Sequence, residues 1–321
     1  MSCDERRLAS LAYRRGHLNE AVDLCEVGIS RAQLLGDTDE CWRLRVLLSL
    51  CTCAQGDFRG SIKLLEGLRP NEGVSIETRA LVMNQKAFSL SRSGNFAAAK
   101  ELLDTAIGLA GSAGSLPVVG EIEINRSTLF FYLGRYNEVE KCARAALEIG
   151  EKQKLPMVEG SACAAMGKSH MYRQREAEAI PWFERALAIY EREGATSYAD
   201  IMRGELGCCH FALHEDDKAF EYFTRALQVS RESGALASLH IDLANMGCLH
   251  LRRGELAAAV SHFQEALGIA RKMGDEISVS KWLRNLAVAY SQMGNPVLST
   301  GFQKQSEEVT KSVEAARAAV K

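Results

Sequence analysis

Proline and long apolar segments are both scarce in this chain of 321 residues. Only 5 residues are proline, and no segment approaches the roughly 20 apolar residues that a membrane helix needs. The amino terminus carries charges throughout and lacks the apolar core of roughly 7–15 residues that a signal peptide requires. We therefore expect a soluble, cytoplasmic protein that does not contact a membrane.

Neither sign of charge is in excess. The sequence has 39 basic and 41 acidic residues, which gives a formal net charge of −2. Proteins that bind nucleic acid rely on lysine and arginine to neutralise phosphates, and this interaction supplies much of their affinity. A nearly neutral chain offers no such general attraction. Nucleic acid is therefore not an expected partner.

Motifs for catalysis and for metal binding are also missing. The sequence contains no G-x-x-x-x-G-K-[ST], H-E-x-x-H or G-x-S-x-G segment, and its ten cysteines include no C-x-x-C pair. His170, His210 and His250 recur forty residues apart. Stacked helices would place them about 8–10 Å from one another, whereas the ligands of one zinc ion lie ~2.0–2.3 Å from it. We expect packed, hydrogen-bonded histidines and reduced thiols, and neither an enzyme, nor a metal site, nor a cofactor.

One pattern recurs along the whole chain at a step of about forty residues. The segment Met246–Leu267, MGCLHLRRGELAAAVSHFQEAL, aligns without a gap with Leu206–Leu227 and with Met166–Leu187. In each copy, small and bulky residues at helical spacing flank a central turn, which predicts two antiparallel helices in close contact. The turn residues are Gly16, Gly56, Gly94, Gly134, Gln174, His214, Gly254 and Gly294, forty apart except for a 38-residue step after Gly56.

Eight helical hairpins follow from this spacing. A single hairpin cannot bury its apolar face, so neighbouring hairpins must stack and share one continuous core. We therefore predict a single domain over residues 1–321 rather than two globular ones. The expected units are 1–36, 37–73, 74–114, 115–154, 155–194, 195–234, 235–274 and 275–321, and the polar end of the last unit predicts a C-terminal capping helix.

The repeated pattern resembles the tetratricopeptide repeat (TPR). The small residue of the first helix stands at Ala9, Ser49, Ala87, Ser127, Gly167, Gly207, Gly247 and Ala287, and x-x-A-x-x-x-F-x-x-A-L follows the turn in the most regular copies. The forty-residue form is similar to that of kinesin light chains, Pins-type adaptors and bacterial TPR regulators. This resemblance covers essentially the whole chain. It implies an all-α, right-handed α-solenoid in which the first helix of each unit lines a concave wall.

Residues that face the concave side are expected at i, i+4, i+7 and i+11 along each first helix. The second position of this stripe is an amide or an acid in five units: Gln85, Asn125, Glu205, Asn245 and Asn285. In families that the chain resembles, asparagines at this place form a ladder that holds the backbone of an extended peptide. An amide suits this task because it offers a donor and an acceptor together. Alternatively, these side chains merely cap or hydrate a helix face.

Other residues of the stripe complete the predicted binding surface. Its charged and aromatic candidates are Lys168, Tyr172, Arg252 and Lys281. Leu47 and Phe88 could accept a hydrophobic anchor of a partner, or could instead pack within the array. Chaperone-binding relatives carry a carboxylate clamp of lysine, asparagine and arginine over three units, but only fragments of it occur here, such as Lys281 with Asn285.

These features predict a protein–protein interaction scaffold. It would bind an extended peptide or a helix of a protein partner in its concave groove. The alternative is a sensory or autoinhibitory TPR module of a larger signalling or transcriptional regulator, which a gene that continues into an effector domain would favour.

Overall fold

The computed structural model describes residues 3–68 and 73–319, and these ranges fold into sixteen α-helices without a β-strand. The predicted all-α class is therefore confirmed. The cluster Pro70–Gly73 also predicts a turn at the end of unit two, and residues 70–72 lie outside the described ranges. In chain order the helices are α1 (Cys3–Arg14), α2 (Leu18–Leu34), α3 (Thr38–Ala54), α4 (Phe58–Leu64), α5 (Ile76–Arg92), α6 (Phe96–Ser112), α7 (Leu116–Tyr132), α8 (Tyr136–Gln153), α9 (Pro156–Met171), α10 (Glu176–Arg192), α11 (Thr196–Ala212), α12 (Asp216–Ser233), α13 (Leu236–Arg252), α14 (Leu256–Met273), α15 (Glu276–Gln292) and α16 (Pro296–Ala318).

A close contact between glycine and phenylalanine explains the repeated motif in units five to seven. Each odd-numbered helix packs against the even-numbered helix that follows it. The contacting pairs are Gly167 with Phe183, Gly207 with Phe223, and Gly247 with Phe263. A Cβ added to Gly247 would lie 2.7 Å from Phe263 Cε1, which is shorter than a normal van der Waals contact. A small residue is therefore required where the two helices approach.

The 38-residue step has its structural cause in unit two. The second helix of this unit, α4, ends at Leu64 after only seven residues. Asp57 caps the short helix, because its Oδ1 accepts a hydrogen bond from the Gly60 backbone N–H over 2.7 Å. Three residues after Leu64, Gly67 adopts a left-handed φ of 88°, which is incompatible with a continuing helix.

The final helix, α16, differs from the others as predicted for a terminal cap. It is 23 residues long, and Ser306 is its one buried residue. Its N-terminus is capped by Asn295, whose Oδ1 accepts from the Leu298 N–H over 3.1 Å. A polar outer face is typical of the capping unit of a stacked array. None of the helices in the described ranges is long and apolar enough to cross a membrane.

The superhelix closes on itself. Helix α1 contacts α11, α3 contacts α13, and α6 contacts α16, so that units one to three meet units six to eight, five units further along the chain. We call this contact the seam. At unit one, the rings of Tyr13 and Tyr198 meet edge to face with centroids 6.2 Å apart. Beside them, the Thr196 hydroxyl donates a hydrogen bond to the Arg15 carbonyl oxygen over 2.9 Å.

The centre of the seam is apolar. Cys53, Phe58 and Met273 form a buried cluster that also includes part of Phe88. Gly56 lies against this cluster, and a Cβ added there would be 2.4 Å from Met273 Cγ. Its φ of 91° is left-handed as well. Gly56 is therefore required both by the turn of its own hairpin and by the packing of the seam.

Gly56→Ala should destabilise the protein more than Gly94→Ala, its matched control. Both glycines are left-handed, with φ of 91° and 83°, so both substitutions incur a similar backbone cost of about 1–2 kcal/mol. Only the first adds a clash with Met273, because no atom lies within 4 Å of the Cβ position at Gly94. Over-packing typically costs about 1–3 kcal/mol. Thermal unfolding measures the difference, and equal midpoints for the two variants would contradict the seam.

Candidate ligand-binding cavity

Closure of the seam leaves a partly open cavity of about 370 Å³ inside the superhelix. The odd-numbered helices on both sides of the seam form most of its wall. Pockets for small ligands commonly span about 300–1,000 Å³, so this cavity is large enough for a small molecule or for a few residues of a peptide. Charged and aromatic side chains on its wall include Arg92, Tyr132, Lys168, Tyr172, Glu205 and Lys281.

The predicted stripe coincides only partly with the cavity wall. The predicted binding residues that line the cavity are Phe88, Lys168, Tyr172, Glu205, Asn245 and Lys281. Those that lie outside its lining are Leu47, Gln85, Asn125, Arg252 and Asn285. A helical period therefore identifies residues that face inward, but it does not identify which of them are already engaged by a neighbouring unit.

Two of the three asparagines of the predicted ladder are bonded within the array. Asn125 Nδ2 donates to Asn84 Oδ1 over 3.0 Å, and Asn285 Nδ2 contacts Cys248 Sγ at 3.5 Å. Each bond joins two neighbouring units. Among these three asparagines, Asn245 is the one that lines the cavity.

Arg252, Leu47 and Gln85 are also engaged by the array itself. The Arg252 guanidinium lies 3.3 Å from the Phe211 ring centroid, and its Nη1 donates to the Phe211 carbonyl oxygen over 2.7 Å. Leu47 is half-buried against the cluster that contains Leu48, and Gln85 is 7% exposed. These contacts support the packing alternative for Leu47 and make Arg252 a link between units six and seven.

Three cations face the cavity, and their partners differ. Lys168 Nζ lies 3.0 Å from Glu205 Oε1, and this carboxylate raises the pKa of the lysine. Arg92 Nη2 is 3.9 Å from Asp275 Oδ2 on the other side of the seam. Lys281 is different, because no carboxylate of the described residues lies within 4.0 Å of its ammonium. Burial lowers the pKa of Lys281 accordingly.

Aromatic rings form another part of the wall. Tyr172 packs edge to face against Phe131, with ring centroids 4.6 Å apart. The ammonium of Lys281 lies 5.9 Å from the centroid of the Tyr172 ring, within the range of a cation–π contact. Because Tyr172 belongs to unit five and Lys281 to unit eight, this contact crosses the cavity.

The periodic pattern does not point to Asp242, Asp275 or Trp282, which also line the cavity. Asp275 is the N-cap of α15, and its Oδ1 accepts from the Ser278 backbone N–H over 3.1 Å. Its place directly after Gly274 predicts a cap, but nothing local predicts its contact with Arg92. Asp242 is 8% exposed, and burial raises its pKa to about 7.

His210 and His250 are packed and hydrogen-bonded as expected, whereas the buried Nδ1 of His170 has no hydrogen-bond partner among the described residues, with Glu178 Oε2 3.5 Å away. His210 Nδ1 lies 2.5 Å from Glu215 Oε2, and its ring stacks on Tyr222 with centroids 5.5 Å apart. His250 makes the equivalent contact with Glu255. Neither His210 nor His250 lines the cavity.

The fold and the repeat define a TPR solenoid. The chain belongs to the MalT-like TPR family, because the model of the MalT-like TPR region matches residues 120–313, more than half of the sequence. No curated protein sequence matches the chain.

Solved structures with the same fold share little sequence with this chain. A Rap protein complexed with competence and sporulation factor has a TM-score of 0.68 and 12% identity, over 98% of this chain and 99% of that one. A Rap conjugation gene regulator in complex with a peptide has a TM-score of 0.65 and 12% identity, over 89% and 74%. A STAND protein with a tetratricopeptide repeat sensor from Pyrococcus horikoshii has a TM-score of 0.56 and 15% identity, over 100% and 50%.

Asp242→Asn should stabilise the protein increasingly as the pH rises from about 4 to 7. The ordinary pKa of this carboxyl is 3.8, and burial raises it to about 7 in the folded state. Between these values the folded chain binds more protons than the unfolded chain, so the free energy of unfolding of the wild type falls with pH. Asparagine does not ionise and avoids this loss, which is up to about 4 kcal/mol at pH 8. Urea unfolding of both proteins at pH 4.5 and pH 8 measures the difference in their free energies of unfolding.

The exposed Asp217, whose side chain is 102% accessible, provides the control variant Asp217→Asn. This control should show no such trend. A stability gain of Asp242→Asn that is equal at both pH values would contradict the burial of an ionisable carboxyl at this site.

Proposed function

We propose that this chain is a TPR receptor that binds a short, extended peptide inside its superhelix. The observation that carries the proposal is the cavity of about 370 Å³ inside the superhelix, with the Asn245 amide on its wall. An amide can both donate to and accept from a peptide backbone. An α-helix with its side chains is about 10–12 Å wide, so a cavity of this size favours a few extended residues over a helix.

Proteins of the same fold support this proposal. Two of them are complexes, one with competence and sporulation factor and one with a peptide. The identity of 12% in both cases relates the folds alone, and peptide binding is extended to this chain because its own interior offers polar and aromatic groups. We propose further that the chain acts by binding, without catalysis or a cofactor, on peptide and protein partners in the cytoplasm.

A sensory role is the second candidate, because the cavity spans the seam. Arg92 belongs to unit three and Lys281 to unit eight, and both line the cavity. A ligand that contacts both residues would favour the closed superhelix over any more open form. Ligand binding would then change the outer surface that a protein partner meets, which is the behaviour expected of a sensor module.

Asn245→Ala should reduce peptide affinity by roughly ten-fold or more, because a backbone hydrogen-bonding group left without its partner costs about 1–3 kcal/mol. The probe is a synthetic library of random-sequence pentapeptides, selected on the full chain and identified by mass spectrometry. Isothermal titration of the peptides retained then gives their affinities.

Asn285→Ala is the matched control, since its amide contacts Cys248 within the array. This variant should bind like the wild type. Equal losses in the two variants, or a wild type that retains no pentapeptide, would refute the proposed mode of binding.

A further inference from the structure

We infer that the cavity holds its ligand by an anionic group, placed between Lys281 and Arg92 where units eight and three meet. The inference rests on the proposed function and adds the chemical class of the ligand. The anionic group is an oxyanion: the carboxylate at the carboxy terminus of a short peptide, or a phosphate.

Lys281 is the cation whose charge the protein leaves uncompensated. Lys168 has Glu205 at 3.0 Å, whereas the described residues place no carboxylate within 4.0 Å of the Lys281 ammonium. Lys281 is half-buried, and removing even part of an ammonium from water without a counter-charge is costly. The Tyr172 ring at 5.9 Å offsets only part of that cost. A bound anion would supply the missing counter-charge.

Arg92 has unused hydrogen-bond donors at the same end of the cavity. Its guanidinium stacks over the Phe58 ring, 5.2 Å from the centroid. The Asp275 oxygen at 3.9 Å is too distant for a hydrogen bond. A guanidinium carries five N–H donors, so Arg92 can bind an oxyanion without losing an existing hydrogen bond to a carboxylate.

Asp275 cannot neutralise both cations. Its oxygens accept hydrogen bonds from the Ser278 N–H over 3.1 Å and from the Ser278 hydroxyl over 2.9 Å. His240 Nε2 also lies 3.8 Å from Asp275 Oδ2, but burial lowers the pKa of His240 to about 4, so this ring is neutral near pH 7. One carboxylate therefore faces two cations, Arg92 and Lys281, and one positive charge remains in excess.

The other carboxylates on the wall are already compensated. Glu205 pairs with Lys168, and Asp200 pairs with Arg203. Asp242, with a pKa of about 7, keeps its proton in part of the molecules at neutral pH. None of these groups is left to balance Lys281, so the excess positive charge is local to the end of the cavity that Lys281 and Arg92 form.

The test uses two random pentapeptide libraries built without Asp and Glu, one with a free terminal carboxylate and one with a terminal amide. Each library is passed over three immobilised proteins: the wild type, Lys281→Met and the control Lys304→Met. Lys304 is exposed on α16. We expect wild type and control to retain the free-acid library at least ten-fold better than the amide library, and Lys281→Met to lose this preference. In a separate arm, inorganic phosphate alone is added, and the thermal midpoint is measured.

The outcomes separate this inference from the proposed function. Equal retention of both libraries by the wild type, without a phosphate effect, would overturn the anionic group but leave peptide binding intact. No retention of either library, with a phosphate-dependent rise in the midpoint that Lys281→Met abolishes, would support the anion site and overturn the peptide. If the wild type retains neither library and phosphate does not raise its thermal midpoint, both the anion site and the proposed peptide binding are overturned. The comparison within the wild type holds even if Lys281→Met fails to fold.

Discussion

Packing between units that lie five apart in the sequence holds this superhelix closed. The Tyr13–Tyr198 contact, the apolar cluster around Met273 and the Arg92–Asp275 pair mark three successive levels of that seam. Most stacked repeats contact only their neighbours. Here, a second set of contacts joins distant units, and the concave groove of an open solenoid becomes a partly enclosed cavity.

Enclosure changes the chemistry of the residues that face inward. On an open groove, water would solvate a lysine or a carboxylate fully, and neither pKa would shift far. Inside the closed superhelix, burial lowers the pKa of Lys281 and raises that of Asp242, because removal from water disfavours the charged form of both groups. The same desolvation strengthens any interaction with a ligand of complementary charge.

The sequence was sufficient to predict the helical hairpins, but it was not sufficient to predict the closure of the superhelix. Gly247 and Phe263 are local partners at a fixed spacing, so their contact follows from the pattern of one unit. The seam depends on the small rotation between successive units, summed over five of them, and no single residue encodes that sum. The helical period likewise predicts the same role for Asn125, Asn245 and Asn285. In the structure, Asn125 bonds to Asn84 and Asn285 contacts Cys248, so these two amides are engaged inside the array. Asp275 carries a cap signal, but its partner Arg92 lies far away in the sequence.

Pulsed electron paramagnetic resonance between spin-labelled residues introduced genetically at Arg59 and Lys272 tests the closed superhelix most directly. Both positions are exposed, and each adjoins a residue of the apolar seam cluster, Phe58 or Met273. A closed seam predicts one narrow distribution at short distance in the protein without ligand. A broad distribution centred at long distance would show an open solenoid and would contradict the cavity between the two sides of the seam.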